Sequence, residues 1–436
     1  MKIAVVGGGL GGCAAARDLG RAGHRVILFE KAAVLGGLAG SFHYDDFHLE
    51  KFYHHIFRHD RPIIELIQEL GLSTDLLWRK ARMGFYTGGR LHEFSTPIDL
   101  LRFTPLRPAD RLRFARSVLF FKKLGAWEPL QAVTARDWYY GRSAGPVYET
   151  VWRPLLRQKF GDAEPEISAA WLWGRVNPRA RSRQWGREQL GYLKGGFHRV
   201  FLALEQQIAE CGGTIQKNTP VERILFGDGG RVRGIATAAG TWACDAVLWT
   251  PPLPLLTGAA AGLPEGLKEK LNAVSYRGVV CLVFFLEAPA GKIYWINIAD
   301  PAPPFGCVIE HTNFIPSSHY GGVSVVYVSN YVRITDPQYR LSPESLTGTV
   351  LPHLKNLLPR FEDRQVRARF LFRDDYATPV YGRNYREVLP PCALPVPGLF
   401  LATTAQIYPY DRNMSNSVRV AREAAACMLR GIGKDR

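Results

Sequence analysis

Lys2-Ile-Ala-Val-Val6 runs directly into Gly7-Gly8-Gly9-Leu10-Gly11-Gly12, and Cys13-Ala14-Ala15-Ala16-Arg17-Asp18-Leu19 follows. The first run predicts a buried strand and the last a helix, with Gly7, Gly9 and Gly12 in G-x-G-x-x-G spacing between them. Each glycine answers a separate demand. Gly7 permits a tight turn, Gly9 lets backbone amides approach a pyrophosphate, and Gly12 lets helix and strand pack closely. The anion then rests on the positive end of the helix, beside Leu10 and Gly11. Arg25-Val-Ile-Leu-Phe29 predicts a second strand. Glu30, just beyond it, is placed to take a ribose hydroxyl, which favours FAD or NAD over a 2′-phosphorylated cofactor.

The continuation, Glu30-Lys31-Ala32-Ala33-Val34-Leu35-Gly36-Gly37-Leu38-Ala39-Gly40-Ser41, resembles the flavin amine oxidase superfamily, which includes protoporphyrinogen oxidases, phytoene desaturases and monoamine oxidases. The resemblance implies FAD as cofactor. It lays Gly36 and Gly37, with Lys31, Leu38 and Ala39 beside them, along the pyrophosphate and ribityl chain. Further on, Gly195-Gly196 opens a helix and Asn218-Thr219-Pro220-Val221 follows. This also resembles the superfamily, and by that likeness Val221 meets the adenine. Trp249-Thr250-Pro251-Pro252 looks like the family's strand-end turn, which puts Thr250 beside the cofactor. Near the C-terminus, Asn416 and Ser417 predict caps for a helix from Val418 to about Leu429. In the superfamily that helix aims its positive end at the flavin. The chain departs from the pattern in having Thr403-Thr404 where relatives carry Gly-Asp; Asp411-Arg412-Asn413 is the substitute considered for the polar contact.

At 436 residues the chain is long enough for two intertwined domains. The expected fold class is α/β: a Rossmann-like FAD-binding domain with an inserted α+β substrate domain, the two-domain p-hydroxybenzoate hydroxylase-like arrangement. Motif order assigns 1–85, 191–275 and 385–436 to the FAD-binding domain, 86–190 to a helix-rich part of the substrate domain, and 276–384 to a strand-rich part. Asp228-Gly229-Gly230 predicts a hairpin turn. Seven cysteines without a C-x-x-C pair support neither a disulfide framework nor a zinc site, so no metal is expected.

Lys and Arg total 55 against 39 Asp and Glu, a formal charge of +16. Such a balance suits an anionic membrane face or an acidic ligand. No nucleic-acid module accompanies it, so nucleic acid is not an expected partner. The longest apolar run, Val279 to Leu286, is too short for a membrane span. With no leader ahead of the first strand, the expectation is a cytoplasmic protein. Residues 102–123 interleave Arg and Lys with Leu and Phe, a pattern for peripheral contact with the inner membrane face or for an ordinary solvated helix pair.

Three groups are candidates for chemistry. Leu49 to His59 follows the second glycine pair and contains His55-Ile56-Phe57, similar to an "HIF" stretch of UDP-galactopyranose mutases. His54 or His55 would donate a proton or a hydrogen bond to the flavin. Val151-Trp-Arg153-Pro-Leu-Leu-Arg157-Gln-Lys159 offers Arg153 and Arg157, with the lysine, for a carboxylate or phosphate at the mouth of an apolar pocket; a solvated, salt-bridged helix face is the alternative. Trp295 would line the pocket, Glu310 and His311 would form an acid/base pair, and Tyr376, Tyr408 and Tyr410 would wall the flavin. Asp375 to Tyr381 resembles a late segment of protoporphyrinogen oxidases. The stretch Tyr276 to Phe284 contains no lysine where monoamine oxidases carry one, which argues against amine oxidation. The expected activity is dehydrogenation or desaturation of a bulky apolar or amphipathic substrate, isoprenoid or tetrapyrrole, by hydride transfer to flavin N5, with oxygen or a quinone as acceptor. The alternative is a redox-neutral mutase or isomerase acting on a nucleotide sugar or diphosphate.

Overall fold

The computed structural model describes residues 1–182 and 188–432. The opening strand Lys2–Val6 is the centre of a five-stranded parallel sheet. Arg25–Phe29 and then Thr214–Gln216 lie on one side, and Ala246–Trp249 and then Leu399–Leu401 on the other. Parallel neighbours require crossovers, and here the crossovers are long enough to hold the remainder of the molecule. Helix Leu10–Arg21 packs on one face of this sheet against the C-terminal helix Met414–Ile432. Ala14, Ala15 and Ala16 are fully or nearly fully buried, the helix also packing on His198–Glu210 and on the sheet, which accounts for the small residues of that run.

A second, seven-stranded sheet is mostly antiparallel. Its longest pairings are made by Tyr276–Leu286, with Ser324–Val332 on one side and the edge strand Val366–Pro379 on the other. Buried on both faces, Tyr276–Leu286 is a continuous apolar run rather than an alternating one. Met83–Thr87 joins this sheet through Trp295–Ile298. The expected boundary at 85/86 therefore falls inside a strand that already belongs to the second sheet. The boundary at 190/191 likewise divides Gln189–Leu193, which pairs with Leu76–Lys80 and Ile56–Phe57.

Residues 97–182 are helical apart from their connections. Helix Pro108–Lys123 lies on helix Ala169–Ser182, where Asn177 donates to the Phe121 carbonyl at 2.7 Å. The hairpin around Asp228–Gly230 forms as expected, joining Val221–Phe226 to Val232–Thr237. Among the described residues no helix is long and apolar enough to cross a membrane.

Candidate functional site

A cavity of about 1240 Å³ begins at the carboxyl ends of the parallel strands and continues between the helical segment and the antiparallel sheet. Its first end is built by the glycines. A Cβ on Gly12 would lie 1.9 Å from the Gly7 carbonyl oxygen, so the helix sits where only glycine allows. Gly7 itself is at φ +96°. Gly9 differs: its backbone, φ −69° and ψ 174°, suits any residue, and a Cβ there would meet nothing within 4 Å. Neither strain nor packing within the chain calls for glycine at position 9, which leaves close approach by a ligand. Gly36 donates to the Gly8 carbonyl at 2.8 Å, and Gly37, at φ +54°, approaches the Gly9 Cα. The second glycine pair is thus folded onto the first loop, and all of Gly7, Gly9, Leu10, Gly11, Gly12, Gly36, Gly37, Leu38 and Ala39 line the cavity.

Glu30 lines it too, with Oε2 accepting from the Gly8 amide at 2.6 Å and Oε1 from the Ala32 amide at 2.8 Å. Its carboxylate shapes the loop as well as facing the cavity, and each oxygen retains a lone pair for a hydroxyl. The Glu30 carbonyl accepts from Thr219, which brings Val221 to the same wall. Lys31 and Thr250 are there as well, the Thr250 hydroxyl donating to the Val6 carbonyl at 2.8 Å. These features fit a dinucleotide laid on a helix N-terminus.

The last helix corrects one expectation. It begins at Met414, not Val418, and Asn413 caps it: Asn413 Oδ1 accepts from the Asn416 amide at 2.7 Å. Asn416 and Ser417 occupy the first turn and line the cavity, while Val418 is fully buried beneath them. Asn416 also donates to the Asp411 carbonyl at 3.0 Å.

The far end is aromatic and carries an ion cluster. Tyr53 and Trp295 meet edge to face at 4.6 Å, and the Trp295 indole donates to Asn297 at 3.1 Å. His54 Nδ1 lies 2.6 Å from the Phe52 carbonyl and His55 Nδ1 3.1 Å from the Tyr294 hydroxyl. Burial lowers His54 to about 4 and His55 to about 3, with Arg412 and Arg179 pushing the same way. Both are therefore neutral near pH 7, able to hydrogen-bond but not to deliver a proton as imidazolium. Tyr376 and Tyr410 also line the cavity.

Asp411 lies between two cations. Its Oδ1 meets Lys159 Nζ and its Oδ2 meets Arg175 Nη1 at 2.7 Å. The two cations hold its carboxyl well below the usual range despite burial, while burial lowers Lys159 to about 8.

Several expected site residues lie elsewhere. Arg153 and Arg157 are exposed on the outer face of helix Arg153–Phe160, Arg153 pairing with Glu149 at 2.6 Å. Trp152, Leu155, Leu156 and Lys159 form the face that lines the cavity, an i, i+3, i+4, i+7 set. A lysine on an otherwise apolar stripe was the available signal for Lys159, and Arg175 follows Trp171 and Gly174 at the same spacing. Glu310 and His311 do not line the cavity. Glu310 accepts from the Ala290 amide at 2.9 Å, and His311 Nε2 lies 2.6 Å from the Tyr320 hydroxyl. Strand pairing carries Glu310 into the core, and the turn His311–Asn313 that follows buries His311 beside it. Tyr408 is buried against Ser168, Tyr381 and Tyr385, also off the cavity.

A structural role for His311 has a measurable consequence. Burial lowers it to about 3, below its unfolded value. The stability it contributes is present above about pH 6.5 and is lost as pH falls toward the folded value. His311→Gln should cost about 1–3 kcal/mol at pH 7 by breaking the Tyr320 contact. That cost should shrink by about 1.4 kcal/mol for each pH unit below 6.5. Urea unfolding at pH 7 and 4.5 measures it, and a cost independent of pH would contradict the assignment.

The comparisons with known proteins agree with this geometry. The family model for flavin containing amine oxidoreductase matches residues 10–429. A 15-cis-phytoene desaturase of Solanum lycopersicum is 24% identical over 290 residues, covering 62% of this chain and 49% of the desaturase. A 15-cis-phytoene desaturase of an Oncidium hybrid cultivar is 33% identical over 469 residues, covering 100% of this chain and 78% of the desaturase. The chain thus spans about half the length of the tomato relative. A protein of Exiguobacterium sp. 255-15 that carries a protoporphyrinogen oxidase assignment superposes with TM-score 0.77 at 18% identity, covering 98% of both chains. Reduced UDP-galactopyranose mutase superposes at 0.76 and 16% identity, covering 98% of this chain and 95% of its own. At such identities the likeness is one of fold. The glycine cradle, the capped last helix and the family match over residues 10–429 together establish that this chain belongs to the flavin-containing amine oxidoreductase family.

Proposed function

We propose that the protein binds FAD in a two-domain, p-hydroxybenzoate hydroxylase-like arrangement and dehydrogenates or desaturates a bulky apolar substrate of the isoprenoid or tetrapyrrole class. The observation that carries this reading is the continuity of the cavity: the glycine cradle opens into a chamber walled by Trp152, Leu155, Tyr53, Val279 and Trp295. FAD held there would supply a two-electron acceptor for a substrate C–H bond, with oxygen or a quinone as the terminal oxidant. The chain's part is to hold and orient. Gly9 and the first turns of the helices at Leu10 and Met414 receive the cofactor, and the aromatic wall excludes water from the substrate. His54 and His55, being neutral, orient rather than protonate. This suits a reaction that needs a dry pocket and no strong acid.

The test is anaerobic mixing of flavin-loaded protein with candidate polyenes and tetrapyrroles. Bleaching of the oxidised flavin band is the expected result. The alternative, a redox-neutral mutase acting on a nucleotide sugar or diphosphate, draws support from Lys159 and Arg175 in the cavity. It requires turnover only after prior reduction, with no bleaching by substrate.

The same reading includes a peripheral location on the inner membrane face. Helix Pro108–Lys123 buries Asp110, Phe114, Ser117 and Phe121 and exposes Leu112, Arg116, Leu119, Phe120 and Lys123 on the opposite side. An apolar and basic face of that kind suits an anionic bilayer. Arg111 takes no part: its guanidinium pins the Phe103 and Leu106 carbonyls at 3.0 and 2.8 Å. Sedimentation with phosphatidylglycerol vesicles should occur and should be lost on reversing Arg116, Lys122 and Lys123 to Glu. Unchanged sedimentation of the variant would remove the membrane face.

A further inference from the structure

Four cationic side chains, Lys159, Arg175, Arg179 and Arg412, line the aromatic end of the cavity. Asp411 takes Lys159 on one oxygen and Arg175 on the other, so a single carboxylate faces two full charges. Arg412 has a neutral partner instead: its guanidinium donates to the Tyr331 hydroxyl at 2.9 Å. Its Nε is buried and, among the described residues, makes no hydrogen bond. Two further carboxylates, Asp60 and Asp374, lie nearby. Asp60 accepts from the Phe57 amide at 2.9 Å and Asn413 at 3.2 Å, and burial raises it to about 6. Asp374 accepts from the Tyr376 amide at 2.9 Å and is likewise raised by burial.

A guanidinium nitrogen that is buried without an acceptor is costly, and the rest of this partly exposed group lines the cavity. The cations also meet aromatic faces: Lys159 lies 5.3 Å from the Trp171 ring and 5.7 Å from that of Tyr331, and Arg412 lies 5.9 Å from the Tyr331 ring. Tyr53 extends the wall from this corner, its hydroxyl 3.3 Å from Cys307 Sγ and its ring against Trp295. Planar donors beside an apolar wall match a ligand with an acidic end and a hydrocarbon body.

We propose that this corner binds the anionic headgroup, carboxylate or phosphate, of an otherwise apolar substrate, with Arg412 as the principal donor and Lys159 and Arg175 supplying the surrounding positive charge. The inference rests on the apolar-substrate reading of the cavity and adds polarity to it. The substrate enters as an amphipath whose charged end is fixed here, which sets the part of its chain presented to the cofactor.

Flavin-loaded protein titrated with farnesol, farnesoate, farnesyl phosphate and inorganic phosphate, read by perturbation of the flavin spectrum, tests it. The two farnesyl anions should bind at least tenfold more tightly than farnesol, with the ratio falling as salt is raised. Arg412→Met and Lys159→Met should each reduce the ratio to below threefold while farnesol affinity and flavin content stay unchanged. The salt dependence in the unaltered protein gives the answer where a variant fails to fold. Equal binding of acid and alcohol overturns the headgroup site and leaves the apolar-substrate reading standing. Loss of flavin in Arg412→Met would assign the cation to the cofactor and overturn the proposal. Inorganic phosphate binding as tightly as farnesyl phosphate keeps the anion site and removes the apolar substrate. Binding of none of the four overturns both.

Discussion

Gly9→Val should fold as well as the unaltered chain and purify without flavin, whereas Gly12→Val should not accumulate as folded protein. The two glycines stand three residues apart in one motif, and the structure separates their duties. At position 12 a Cβ would lie 1.9 Å from the Gly7 carbonyl oxygen, so helix Leu10–Arg21 would have to move away from strand Lys2–Val6. That strand is the centre of the parallel sheet, and its contact with the helix cannot be lost cheaply. Overpacking of this kind costs about 1–3 kcal/mol where side chains can yield. Here the obstacle is backbone, and the cost approaches the total stability of about 5–15 kcal/mol. At position 9 the backbone is extended and a Cβ meets no atom of the chain. Removing a glycine there also lowers the entropy of the unfolded state, worth about 0.4–1 kcal/mol in the variant's favour. Thermal unfolding of the apoproteins and the flavin-to-protein absorbance ratio measure both effects. A Gly9→Val protein that keeps its full flavin would show that the cofactor does not lie along this loop.

This division also marks what the sequence disclosed. The cofactor end was legible because its constraints are local: a turn, a helix start and a strand end within forty residues require glycine or an acid for reasons independent of the rest of the chain. Gly36, Val221 and Thr250 came instead from the resemblance to the flavin amine oxidase superfamily, and all three line the cavity. The substrate end depends on contacts between distant segments, which leave only weak traces. Arg153 and Arg157 drew attention because they are charged, yet the cavity face of their helix is set by Trp152, Leu155 and Leu156, and of the three charged residues of the helix Lys159 alone shares it. Glu310-His311 had the composition of an acid/base pair, but strand register carries Glu310 into the core and the turn His311–Asn313 that follows buries His311 against Tyr320. The strand ends at Glu310 and the chain turns at His311, so proximity in sequence was poor evidence of a shared site. The last helix was misplaced by four residues because Asn413, Asn416 and Ser417 are all good caps. The Asn413 side chain decides the matter by accepting from the Asn416 amide.

Asp411→Asn should destabilise the protein by about 2–3 kcal/mol, since removing one member of a partly buried ion cluster leaves the other charges uncompensated. Asp411 is bonded to Lys159 across 252 residues of sequence and to Arg175 across 236. One carboxylate thus ties helices Arg153–Phe160 and Ala169–Ser182 to the segment that leads into the last helix. Its folded pKa is depressed, so its stabilisation is present above the unfolded carboxyl value of about 3.9. It is lost as pH falls through the lower folded value. The penalty of Asp411→Asn should therefore hold at pH 7 and diminish below about pH 4. Adding Lys159→Met removes the stranded ammonium, and the double variant should recover at least about 1.5 kcal/mol, the scale expected for directly coupled residues. Backbone support for the last helix survives the change, because Asn416 bonds the Asp411 carbonyl rather than its carboxylate. Flavin content measured below the unfolding range should accordingly remain close to that of the unaltered protein. Additive losses in the double variant would mean that Lys159 and Asp411 stabilise the fold separately. Recovery would show that the carboxylate is there to keep two cations beside the cavity without unfolding the helices that carry them.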